Sequence, residues 1–121
     1  MATSNYGPRG YSANLAISAF RGVVLSNNGG VTYSTTTGVP DGFAQIDTAS
    51  GDLCPVRHFF TDGTQLGVIT VACTVGDALY AGSVGYLAVA GTVTVGKSLT
   101  TASASTTGNI VEFIPRTTLV S

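Results

Sequence analysis

The chain has 121 residues, a formal net charge of -1 and 9% charged side chains, against roughly 25% in an average soluble domain. Its five basic residues, Arg9, Arg21, Arg57, Lys97 and Arg116, are scattered and form no stripe to neutralise a nucleic-acid backbone, so no nucleic-acid partner is expected. With 44% hydrophobic residues and 16 glycines, the surface is built mostly from Ser, Thr, Gly and backbone, and its weak self-repulsion favours an assembly component over a freely diffusing monomer.

The opening residues, MATSNYGPRGYSANLAISAF, lack the basic and continuous apolar regions of a secretory signal, which points to a chain made and kept in a cytoplasm. They are rich in Asn, Ser, Tyr and Gly without strand rhythm and read as an N-terminal arm over residues 1–20. Only ANLAISAF suggests a helical turn there, and alternation fits it equally well. Residues 21–121 read as a single β domain. Its first two runs, 23–25 and 31–35, flank Asn27-Asn28-Gly29-Gly30, residues that tolerate the positive φ of a tight hairpin. Further β-rich runs follow at 42–46, 56–60, 66–74, 78–81, 86–90, 92–95 and 110–114, mostly separated by Gly, Asp, Ser or Pro. This spacing predicts an all-β fold, a small antiparallel β-barrel or β-sandwich. TTASASTTGN suits an exposed loop or edge strand before the last run. Residues 78–96 carry no charge and are long enough for a membrane span, but four glycines interrupt them, and such a run breaks a helix, so no membrane partner is expected.

Candidate chemistry is thin. Residues 91–98, GTVTVGKS, satisfy the G-x-x-x-x-G-K-[ST] pattern of a phosphate-binding loop, which works only between a buried strand and a helix whose N-terminus faces the anion. Here alternating β-branched Thr and Val fill the loop, and LTTASASTTGN follows without an apolar helical period, so the segment reads as a strand, a Gly turn and a solvated Lys97. His58, the single histidine, reads as a packed or hydrogen-bonded ring in a strand. Together with Cys54 it gives at most two metal ligands, short of a tetrahedral set. Cys73 lies in the apolar run GVITVACTV and Cys54 precedes Pro55; two strands can bring the thiols into a bridge, which a reducing compartment disfavours. Asp41, Asp52, Asp62 and Asp77 each adjoin a glycine, as turn residues do. No enzymatic activity, cofactor or metal is expected. A small ligand-binding barrel would draw its polar groups from Tyr33, Tyr80, Tyr86, Arg57 and His58.

The C-terminal half carries the most specific pattern. VGDALYAGSVGYLAVAG and VGKSLTTASASTTGNIVEFIP resemble the small capsid cement or decoration proteins of tailed bacteriophages. In that pattern a Gly-Asp leads an apolar strand with an aromatic, a Gly turn follows, and a G-x-x-L-x-x-A-S segment precedes a Gly and a closing strand. The matching positions are Gly76, Asp77, Leu79, Tyr80, Gly85, Gly96, Leu99, Ala102, Ser103, Gly108, Ile110, Val111 and Glu112. The likeness extends loosely to GVVLSNNGGVTYS, while CPVRHFF has no counterpart.

The resemblance implies a β-tulip-like barrel with an extended arm, made in the host cytoplasm and carried on the outer capsid surface of the virion. It implies trimers at threefold positions of an expanded icosahedral head, with the major capsid protein and further copies of the same chain as partners. On that reading the arm, with Tyr6, Pro8, Arg9, Tyr11, Leu15 and Ile17, orders on the capsid and can add a strand to a neighbour's sheet edge. A phage tail or fibre-associated β module shares the same Thr- and Gly-rich composition and is the alternative.

Overall fold

The computed structural model describes residues 9–59 and 63–115, and they form an all-β molecule in two halves. The first half is a sheet of β1 (Arg9–Ser12), β2 (Gly22–Leu25), β3 (Val31–Tyr33), β4 (Gly42–Ala44) and β5 (Leu53–His58), in the order β1-β5-β4-β2-β3. The second is a closed barrel of β6 (Gln65–Ile69), β7 (Ala78–Ala81), β8 (Leu87–Ala88), β9 (Thr94–Ser98) and β10 (Asn109–Pro115), in the order β10-β6-β8-β7-β9. Pairing is antiparallel except between β6 and β8, which meet in parallel at Ile69 and Leu87.

Side-chain alternation explains the barrel. Along β10, Val111, Phe113 and Pro115 point inward while Ile110, Glu112 and Ile114 are exposed, the period of two that a strand imposes. Val111 and Phe113 pack with Leu79, Val95 and Ile69. Phe43 of β4 and Phe59, just past β5, join this same cluster. The Phe43 ring meets Phe113 edge-on at 5.3 Å between centroids and lies 6.4 Å from Phe59, so the first half inserts two aromatic rings into the core of the second. A smaller cluster of Ala13, Ile17, Val23, Val31, Ala44, Cys54 and Val56 fills the first half.

The β2–β3 hairpin forms at the Asn-Asn-Gly-Gly segment. Gly29 N–H donates to Ser26 O at 3.0 Å, Ser26 N–H donates to Gly30 O at 2.8 Å, and Gly29 alone takes positive φ, +85°. This is a hairpin whose turn ends in a left-handed glycine, rather than one needing two such residues. The expected run 66–74 ends as a strand at Ile69, because Thr70 O accepts from Ser105 N–H and Cys73 pairs with Ala102 in a single bridge.

The reading of residues 1–20 as an arm meets a different arrangement from residue 9 onward. Arg9–Ser12 pairs along its length with β5. Asn14 N–H then donates to Val31 O at 3.0 Å, carrying the chain from one edge of the first sheet to β3 at the other. Ile17 and Thr48 exchange backbone hydrogen bonds of 2.9 and 2.8 Å. ANLAISAF is thus neither a helix nor a regular strand, but an irregular segment bridged at Ala13 and Ile17, bent at Asn14–Leu15 and turning at Ala19–Phe20.

Candidate functional site

Of the six residues proposed for capsid contact, Tyr6 and Pro8 lie outside the described residues. Arg9 occupies β1 opposite Val56, and Tyr11 lies opposite Cys54. The Tyr11 hydroxyl meets His58 Nε2 at 2.8 Å, with the two rings tilted at 5.9 Å, so this tyrosine holds the histidine within its own sheet. Leu15 is 39% exposed, whereas Ile17 is 2% exposed in the first-half core. Ile17 therefore presents no surface to a partner in this fold.

GTVTVGKS is a strand from Thr94 onward. Ser98 and Lys97 pair with Phe113 and Ile114 on one side, and Lys97 pairs with Ala78 on the other. Ser98 is fully buried and its hydroxyl donates to Thr100 O at 2.7 Å. A ladder on both sides uses the N–H groups that a phosphate loop would turn toward an anion. Gly96 is required for packing, since a Cβ there would strike Ile114 O.

Three aspartate carboxylates accept backbone N–H groups, Asp77 within its own turn and Asp41 and Asp47 across the fold. Asp41 Oδ2 accepts from Leu25 N–H, Asp47 Oδ1 from Ala19 N–H and Asp77 Oδ2 from Thr74 N–H, each at 2.8 Å. Asp52 N–H donates to Ala49 O at 3.0 Å beside Gly51 at φ +90°, and Asp62 lies outside the described residues. Among the described residues no group of three or more His, Cys, Asp or Glu side chains could hold a metal, and no helix is long and apolar enough to cross a membrane.

The two cysteines are free and buried in separate cores, Cys54 in the first half and Cys73 in the barrel. Burial pushes the Cys54 thiol above its ordinary value of 9.0, with a hydrogen bond to Thr48 offsetting part of the effect. The folded thiol thus keeps its proton to higher pH than the unfolded one. Its contribution to stability is complete below about pH 9 and is lost as pH rises through the folded value. Urea midpoints are expected to fall as pH rises above about 9, and to fall less in Cys54→Ala; equal slopes would assign the alkaline loss to other groups.

The aromatic candidates converge only in part. Tyr33 of β3 and Tyr86 from the barrel half lie on either side of the Arg21 guanidinium, at 4.1 and 4.0 Å to the ring centroids. Arg21 also donates from Nε and Nη2 to Val84 O, at 3.1 and 2.7 Å. Val84 sits at φ +45°, an unusual conformation for a β-branched residue, and Gly85 N–H donates to Ser34 O at 3.0 Å. The sequence shows Arg21 only as one scattered cation; in the fold it clamps the Ser83–Gly85 turn onto the first sheet. Beside it runs a groove of about 510 Å³ lined by Phe20, Arg21, Asp47, Tyr86 and Ile110, among others. Tyr11 and His58 pair with each other, and Tyr80 belongs to β7.

The family-pattern positions divide into two sets. Gly76, Gly85 and Gly108 hold positive φ, Asp77 caps its turn, Leu79 is in the barrel core, and Tyr80 is half-buried on β7. Leu99 and Glu112 instead face outward beside Leu66, Ile110 and Ile114. This outer face of β6, β10 and β9 exposes four aliphatic side chains, Leu66, Leu99, Ile110 and Ile114, and is the candidate for binding other proteins.

No protein-family model matches the chain, and no curated protein does. Among solved structures the chain is similar to the head fiber gp8.5 N base of bacteriophage phi29, with a TM-score of 0.77 and 18% identity, over 94% of this chain and 97% of that chain. At this identity the likeness is one of fold.

Proposed function

We propose that this protein is a structural component of a bacteriophage head, a decoration (cement) protein bound to the outer surface of the expanded shell. It acts as trimers at threefold positions, with the major capsid protein and further copies of itself as partners. The observation that carries this reading is the fold match along almost the whole of both chains to the head fiber N base. The sequence resemblance of the barrel half points the same way. Its polar groups support the reading as well, since aspartates, His58 and Ser98 serve turns and packing.

Such a protein needs no chemistry. Packaged genome pushes shell subunits apart, and a protein that binds the expanded lattice better than the compact one stabilises the expanded state by that difference in affinity. The neighbour's name supports a second reading equally well, in which the chain is the base of a head fibre and anchors a projection to the shell.

Co-sedimentation with compact precursor heads and with expanded heads tests the proposal: saturable binding to expanded heads alone is expected, and binding to neither would overturn it. Labelling of intact virions separates the two readings, a decoration protein covering the shell and a fibre base appearing only where fibres emerge. Deleting residues 2–8 is expected to weaken head binding at least tenfold without unfolding the domain. The cut stops there because a longer deletion removes β1 and the buried Ala13 and Ile17; unchanged affinity would show that these residues do not touch the shell.

A further inference from the structure

An antiparallel strand with one face on a core and the other in water alternates apolar and polar residues. β10 does not. Its inward residues are Val111, Phe113 and Pro115, yet its outward residues are Ile110, Glu112 and Ile114, with the two isoleucines 54% and 43% exposed. The neighbouring strands extend the same surface. Leu66 of β6 lies opposite Glu112, Lys97 of β9 lies opposite Ile114, and Leu99 donates its N–H to Glu112 O at 2.8 Å. All three are exposed. An outward row that is aliphatic but for one carboxylate, continued by Leu66 and Leu99, is the kind of exposed patch that a protein partner covers.

The fold limits how the cover is applied. β10 is paired on both sides within a closed barrel, so no added strand can reach it and the partner has to pack on side chains. The charges limit what the partner is. Of only five basic and six acidic residues in the chain, one of each sign, Lys97 and Glu112, projects from adjacent strands of this face. A surface with one cation and one anion set among aliphatic side chains complements a second copy of itself, whereas a strongly charged partner would leave one of the two opposed by like charge.

We infer that the outer face of β6, β10 and β9 is where copies of this chain associate, the aliphatic side chains packing together and Lys97 of one copy meeting Glu112 of the next. The inference rests on the self-association in the proposed function and assigns it to a surface.

Sedimentation equilibrium of the full chain at micromolar concentration tests it, with melting curves confirming that each variant is folded. The wild type is expected to be oligomeric. Ile110→Lys and Ile114→Lys, both at exposed positions, are expected to give monomer. Lys97→Glu and Glu112→Lys are each expected to weaken association about tenfold, and the double exchange to recover most of it. A monomeric wild type, or an oligomer untouched by all of these variants, would overturn the assignment. Expanded heads run in parallel separate the two levels. An oligomer that dissociates in the variants but never binds heads leaves the interface standing and removes the head function. A monomer that binds heads and loses them in Ile110→Lys assigns the face to the shell and overturns the inference.

Discussion

Phe43→Ala is expected to cost about 3–5 kcal/mol, a large part of the roughly 5–15 kcal/mol that holds a domain folded. The residue belongs to β4 of the first sheet, but its ring is 1% exposed in the barrel core, edge-on to Phe113 and near Phe59. Truncation removes the apolar contacts and leaves a void that neither Phe113 nor Phe59 can fill without leaving its own packing. Because the lost contacts join the halves, both are expected to melt together at a lower urea midpoint. NMR amide signals of Val23 in β2 and Val111 in β10 follow the first sheet and the barrel separately, and coincident transitions in the variant are the predicted result. A barrel that keeps its midpoint while the first sheet melts early would show that the halves are independent.

Gly85→Ala is expected to be nearly as damaging, on the order of 3 kcal/mol from left-handed backbone and overpacking together. Gly85 lies at φ +78°, and a Cβ there would sit 2.5 Å from Gly22 O and 2.9 Å from Tyr33 Cδ1. The nearest obstacle is the backbone at the start of β2, paired on both sides by β4 and β3, so relief requires the whole Ser83–Gly85 turn to lift. Lifting it breaks the Gly85–Ser34 hydrogen bond and withdraws Val84 O from the Arg21 guanidinium. Thermal melting of Gly85→Ala against wild type checks this, and an unchanged melting temperature would mean that the turn does not bear on the sheet in solution.

The legible parts of this fold are those fixed by neighbours in sequence. Short β-rich runs bounded by turn residues mark residues 110–114 and 78–81 as strands, the Asn-Asn-Gly-Gly segment marks the hairpin, and β-branched Thr-Val-Thr-Val marks residues 92–95 as extended, although the strand itself begins at Thr94. Ala13 and Ile17 resist the same treatment. Each is ordered by a single bridge, to Val31 and to Thr48, and the exposed residues between them leave no apolar rhythm to read. The Arg21 clamp is hidden for a related reason, since Tyr33 and Tyr86 reach it from opposite halves. The outer face of β10 lies between these cases. IVEFI is visibly apolar but for Glu112, yet which of its residues form a surface is decided only when the barrel fixes the strand's parity.

The place of β10 between β6 and β9 also constrains when the molecule can become itself. Five strands within residues 9–58 can pair as soon as they emerge during synthesis, but β6 and β9 wait for β10 to be made. Until then the nascent chain carries two unsatisfied strand edges and a half-open core that Phe43 and Phe59 cannot yet fill, the kind of exposure that invites mispairing between neighbouring chains. Closure therefore waits on residues 109–115, because a copy interrupted before them lacks both the Val111 and Phe113 side chains of the barrel core and the outer surface that β10 carries.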